Sequence, residues 1–191
     1  MKIFRRNIPD DAELVKGCVA GKRQCQQQLY ERFASEMKGV CLRYSKTSFE
    51  AEDLMHDGFV KVFQHIDTFK SDCPLGAWIR KIMVNTALSN YRRKMHKTEF
   101  ADLEILVNIA EADPGTDHFA AEELMEMVRS LPEKYQLVFN LFGIEGYSHK
   151  EISEMLGITE VTSRSQYLRA RHLLIEMVNK AYKPCHEKIS G

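Results

Sequence analysis

The sequence predicts an all-α protein made of two small helical domains. Three observations carry that expectation. Apolar residues recur at steps of three and four along almost every periodic segment, the spacing of one buried helix face. No run alternates apolar and polar residues in the manner of a half-buried strand. Clusters of Pro, Gly, Asp and Ser then cut the helical stretches apart, most strongly at Ala112-Asp113-Pro114-Gly115-Thr116-Asp117. With 191 residues there is enough chain for two small cores. The expected boundaries are a domain over 1–97, an acidic linker over 98–119, a second domain over 120–183 and a tail over 184–191.

In the first domain, Leu29, Phe33, Met37, Val40 and Tyr44 mark one helical stripe, and Met55, Phe59, Val62 and Ile66 a second. The second of these helices opens with Glu50, Glu52 and Asp53, acidic residues that suit the positive end of the helix dipole. Asp53 and His56 also stand at i,i+3, a ligand spacing of helix-bundle metal sites. No second carboxylate-histidine pair completes such a site, so no metal is expected. Gly58 in mid-helix costs about 1 kcal/mol relative to alanine, and the sequence gives no reason for it. Lys70-Ser71-Asp72-Cys73-Pro74-Leu75-Gly76 reads as a loop. A third stripe, Ile79, Ile82, Met83, Thr86 and Ala87, follows it.

The charges are distributed unevenly although they sum to zero. Between Asp72 and Glu99 there is no carboxylate, and Arg80, Lys81, Arg92, Arg93, Lys94 and Lys97 lie there. Between Lys97 and Arg129 the sign inverts, with nine carboxylates and no Lys or Arg. A basic track with polar Asn85 and Asn90 and aromatic Trp78 and Tyr91 suits single-stranded nucleic acid, cations for phosphate and flat groups for bases. Flanking Ile79 and Ile82 instead mark Trp78 as a core anchor.

In the second domain, Ser148 and Glu151 are spaced as a capping box, Gly157 as a helix stop and Thr159 as the next cap. Two short helices joined by a glycine turn make a helix-turn-helix. Ile152, Leu156 and Ile158 take its packing positions, with Ser153 where the helices cross. Tyr167, Ala170, Leu174 and Val178 form the inward stripe of the second helix. Arg164, Ser165, Leu168, Arg169 and Arg171 then face outward, a pattern that suits the major groove and also fits a solvated arginine face on a structural helix pair.

Taken in order, these segments resemble an extracytoplasmic-function (ECF) sigma factor of RNA polymerase. Ala51-Glu52-Asp53-Leu54-Met55-His56-Asp57-Gly58-Phe59 is similar to the family's polymerase-binding helix. Ala77-Trp78-Ile79-Arg80-Lys81-Ile82 and Val84-Asn85-Thr86-Ala87 are similar to the helix that melts the minus-ten element. Leu131-Pro132-Glu133-Lys134-Tyr135, Glu145-Gly146-Tyr147-Ser148-His149-Lys150-Glu151-Ile152 and Arg169-Ala170-Arg171 are similar to parts of the minus-thirty-five reading domain. The resemblance implies core polymerase and promoter DNA as partners and an anti-sigma factor as regulator. It implies no cofactor and no small-molecule substrate.

By the same resemblance, Asp53, Leu54, His56, Asp57 and Phe59 would meet the polymerase. Ser71, Asp72 and Leu75, in the loop, would hold a flipped base beside Asn85, while Arg80, Arg92 and Arg93 grip the melting strand. Arg164, Ser165, Leu168 and Arg169, with Arg171 closing the motif, would read the upstream duplex. Three residues depart from the family pattern: His56 replaces a commoner glutamine, Ser163 a buried aliphatic and Gln166 an arginine.

Other classes fit less of the chain. A ligand-sensing regulator with a terminal helix-turn-helix leaves the basic stretch from Arg80 to Lys97 without a role, and a helical metalloenzyme would rest on Asp53 and His56 alone. Five cysteines without knuckle spacing read as reduced thiols. No apolar run is long enough to span a bilayer, and no signal core follows Met1-Lys2-Ile3-Phe4-Arg5-Arg6-Asn7, so a cytoplasmic protein without membrane insertion is expected.

Overall fold

The computed structural model describes residues 10–95 and 121–182. The expected linker and tail lie outside them. Every regular element among the described residues is helical, and the chain divides into two units after Asn90.

The first unit opens with α1 (Asp11–Val19), whose N-cap Asp10 accepts a hydrogen bond from the Glu13 N–H at 2.7 Å. α2 (Arg23–Leu42) buries Leu29, Phe33, Met37 and Val40. Thr47 caps α3 (Ser48–His65) by accepting from the Glu50 N–H at 3.1 Å. After a short 3₁₀ turn at Ile66–Thr68 and a loop over 69–74, α4 runs from Leu75 to Met95. The three sequence stripes face this core, with Tyr44 and Ile82 half-buried at its edge.

α4 packs on α2 and α3 through small residues and polar clips. Gly76 lies against Phe33, where an added Cβ would meet the ring at 3.1 Å. Arg80 pairs with Glu36 of α2 at 3.8 Å, and the Lys61 ammonium donates to Thr86 Oγ1 at 3.1 Å. Gly58 now has a physical reason. A Cβ there would collide with the Met83 sulfur and come within 2.9 Å of its Cε, so glycine leaves the space in which buried Met83 lies against α3.

The second unit contains α5 (Ala121–Ser130), α6 (Glu133–Phe139), a π turn (Asn140–Ile144), α7 (His149–Leu156) and α8 (Glu160–Tyr182). Its core includes Val128, Leu131, Leu137, Val138, Leu141, Ile152, Ala170 and Val178. The capping box is complete: Glu151 N–H donates to Ser148 Oγ at 3.2 Å, and Ser148 N–H donates to Glu151 Oε2 at 2.8 Å. The Ser148 N–H first, then the Ser148 hydroxyl donating to the same oxygen at 2.7 Å, hold the Glu151 carboxyl below its ordinary pKa. Gly157 then stops α7 at φ 69°, and Thr159 accepts from the Thr162 N–H at 3.0 Å to start α8. Removing the first cap with Ser148→Ala should lower stability by about 1 kcal/mol, read as the urea midpoint of the purified chain. An unmoved midpoint would show that α7 does not depend on it.

Ser153 is half-buried, and its hydroxyl donates to the Lys150 carbonyl of its own helix at 2.7 Å. Ser163 on α8 has no exposed surface.

The described cysteines Cys18, Cys25, Cys41 and Cys73 are free thiols. Burial pushes Cys41 up to about 12, with Arg43 opposing weakly, which leaves it a small core residue rather than a nucleophile.

Candidate nucleic-acid interface

Helical geometry alone selects which face of α3 meets solvent. Asp53, His56 and Asp57 are exposed on it. Phe49, 73% exposed, and Val60, 55% exposed, extend the same strip, each one i,i+4 step from Asp53 and His56 respectively. Helical spacing from Asp53 and His56 marks these two apolar positions in the sequence. Glu52 at the margin accepts from Lys38 at 2.8 Å, a bond that holds its carboxyl below the ordinary range. Among the described residues, no group of three or more His, Cys, Asp or Glu side chains is placed to hold a metal ion.

The loop before α4 exposes Ser71, Asp72, Cys73 and Pro74. Ser71 takes φ 58°, a left-handed conformation uncommon outside glycine, and so turns the loop sharply. Trp78 closes its base by packing on Phe69 at 5.5 Å between ring centroids, half-buried as an anchor. Along α4, Lys81, Asn85 and Arg92 are exposed at steps of four and seven, which places them on one solvent-facing strip, with Arg93 beside it. The Asn85 main-chain carbonyl accepts from Ser89 Oγ at 2.8 Å, and the residue itself is exposed. No acidic residue interrupts this helix.

On α8, Arg164, Ser165 and Leu168 are exposed and Arg169 is half-buried. Arg164 is ion-paired with Glu160 one turn earlier. Val161, 75% exposed, shares the strip of Arg164, Ser165 and Leu168 at i, i+3, i+4 and i+7. Its position in the first turn of the helix was legible from spacing but carries no charge to draw notice.

Residues 29–97 match the Sigma-70 region 2 family, and residues 121–174 match Sigma-70, region 4. The chain is 29% identical over 174 residues to the ECF RNA polymerase sigma factor SigM of Mycobacterium tuberculosis, covering 91% of this chain and 87% of that one. This chain belongs to the ECF sigma factors. It is 24% identical over 177 residues to the ECF RNA polymerase sigma-E factor of Haemophilus influenzae, covering 86% of this chain and 93% of that one. The sigma factor RpoE of Bartonella quintana, solved with the anti-sigma factor NepR, shares the fold at a TM-score of 0.50 and 21% identity. That match covers 80% of this chain and 96% of the other.

Sigma factors are non-enzymatic initiation factors, and this ECF sigma factor directs promoter-specific transcription initiation by RNA polymerase. Among the described residues no helix is long and apolar enough to cross a membrane.

Several residues singled out in the sequence lie inside the sigma factor rather than on its surface. Leu54, Phe59 and Leu75 are 5%, 3% and 0% exposed, so they shape the helices that present a surface and do not themselves reach a partner. A resemblance matches a segment as a whole, whereas only one arc of a helix can face outward. Arg80 is tied to α2 by its ion pair with Glu36 and is half-buried. Arg171 is likewise off the outward face. It lines an apolar groove of about 370 Å³ with Leu174, Ile175 and Val178 of its own helix and Leu124 and Val128 of α5. The four-residue inward stripe of the sequence reading was too narrow, because α5 covers a further arc of α8 next to Leu174 and Val178.

Proposed function

We propose that the sigma factor divides promoter recognition between its two units, single-stranded DNA on α4 and duplex DNA on α8. The observation that supports this reading best is the pair of separate solvent-facing basic strips: Lys81, Asn85 and Arg92 on α4, Arg164 and Ser165 on α8. In this reading residues 1–97 bind core polymerase and the minus-ten element, 98–119 link, and 120–183 bind the minus-thirty-five element, with 184–191 a tail. Asp53, His56 and Asp57, with Phe49 and Val60, form the polymerase-docking strip of α3. Ser71 and Asp72 receive a flipped base beside Asn85, and Arg92 and Arg93 hold the strand. Arg164, Ser165, Leu168 and Arg169 enter the major groove, where apolar Val161 and Leu168 suit thymine methyl groups. The chain performs no catalysis of its own, works in the cytoplasm and is regulated by an anti-sigma factor.

The division is tested with reconstituted holoenzyme on a promoter found by run-off transcription of genomic fragments. Arg169→Ala should weaken duplex binding by about 1–3 kcal/mol and relax preference within the upstream element. Asn85→Ala should leave closed-complex binding near wild type and reduce permanganate reactivity of minus-ten thymines. Normal thymine reactivity with lost duplex binding in the Asn85 variant would reverse the assignment of the two helices.

A further inference from the structure

We propose that His149 is a positioning residue that sets the roll of the recognition helix α8 through its hydrogen bond to Ser163. The inference rests on the reading of α8 as the duplex-reading helix.

Ser163 lies in the first turn of α8 and has no exposed surface. An unpaired hydroxyl buried there would be strongly disfavoured, since it has lost water without gaining a partner. The partner is His149, the first residue of α7, whose Nδ1 stands 3.0 Å from Ser163 Oγ. The imidazole is itself fixed in place. It stacks on Phe142 with ring centroids 4.1 Å apart and planes within 8°, and its edge meets Tyr167 at 6.0 Å. Phe142 in turn leans on Tyr167 at 4.6 Å. Ser148, immediately before His149, is locked by the capping box, so the backbone that carries the ring is held as well.

The bond matters because of where it falls on α8. Ser163 is directly followed by Arg164 and Ser165, which face solvent about 100° and 160° round the helix from it. Side-chain tips lie about 6 Å from a helix axis, so a roll of about 20° moves them by about 2 Å. That shift exceeds what a base-specific hydrogen bond tolerates. An aliphatic residue at this place would hold the helix by non-directional packing, which permits such a roll. A hydroxyl bonded to a stacked ring permits one angle. Burial first, then the neighbouring Arg164 of α8, keep the His149 pKa below its ordinary value, while Glu160 of α8 opposes them. The ring is therefore neutral near pH 7 and places no charge against the aromatic cluster.

The test uses holoenzyme reconstituted with full-length variants and a template pool randomised across the upstream element. Discrimination is read as the ratio of initiation on the preferred sequence to that on its single-base variants. His149→Phe keeps the stack but leaves the hydroxyl unpaired, and should lower the ratio by about fivefold, the equivalent of one net hydrogen bond. His149→Asn keeps a polar group near the Nδ1 position and should stay within about twofold of wild type. The double variant His149→Phe with Ser163→Ala removes donor and acceptor together and should stay near the His149→Phe ratio, because only non-directional packing then holds the helix.

A fall in total initiation at an unchanged ratio in His149→Phe would reduce the pair to fold maintenance and overturn the proposal. So would a double variant restored to the wild-type ratio, since packing alone would then set the roll. If His149→Phe does not fold, Ser163→Ala serves alone, and an unchanged ratio there overturns the idea equally. Arg169→Ala separates the two levels of inference: lost discrimination in it alone defeats only the positioning role, whereas unchanged discrimination in all variants defeats the reading of α8.

Discussion

Reversing Asp53 and Asp57 together to lysine is expected to abolish holoenzyme assembly while helical content stays at the wild-type level. Both side chains are exposed on α3, and exposed substitutions away from special contacts change stability by only about ±0.5 kcal/mol. A docking surface responds differently. The change turns two negative charges into two positive ones at a face that complements a partner, and like-charge juxtaposition across an interface costs several kcal/mol. Co-elution with core polymerase on gel filtration reads the outcome, and circular dichroism guards against unfolding. Core polymerase that still co-elutes at full yield would remove α3 from the docking surface. Leu54→Ala provides the contrast, because a core truncation of this kind costs about 2–5 kcal/mol and should appear as lost stability instead.

Gly58→Val should destabilise the first unit by about 1–3 kcal/mol, the usual range for overpacking a filled core. Even the first carbon of the new side chain meets the Met83 sulfur, and Met83 is 1% exposed with little room to retreat. Met83→Ala in the same chain vacates that space and should return most of the stability, although it costs stability in the wild-type background. Urea midpoints of the four proteins measure the coupling. Equal midpoints for wild type and Gly58→Val, or no gain from Met83→Ala, would show that the close approach of α3 and α4 is not what glycine serves.

Periodicity made the helices legible in the sequence, and cap chemistry made their ends legible. Ser148, Glu151, Gly157 and Thr159 each perform the local task their residue type suggests, because capping is decided within a few residues of chain. What escaped were facts decided by a neighbour far along the chain. Gly58 has no local explanation, since its reason is Met83 on another helix. Arg171 has the composition of a groove reader, but α5 settles which arc of α8 is covered. Leu54, Phe59 and Leu75 belong to segments whose resemblance is strong, yet their burial comes from the face they occupy and not from the motif. Ser163, visible only as a departure from a family pattern, acquires meaning once His149 is found opposite it.

The π turn at Asn140–Ile144 makes the second unit sensitive to insertions and deletions. Its widened geometry is marked by the Glu145 N–H reaching the Asn140 carbonyl, five residues back, at 2.9 Å. An α-helix would close that ring one residue earlier, so losing a residue here converts the wide turn into an ordinary one. Everything downstream is then turned by about 100° relative to α6. Phe142 belongs to that segment and His149 lies just beyond it, whereas Phe139, stacked on Tyr167 at 6.0 Å, precedes it. The aromatic cluster is therefore phased by a count of residues as much as by their identity. Deleting one residue within Asn140–Ile144 is therefore expected to disturb the cluster even where every aromatic ring is kept.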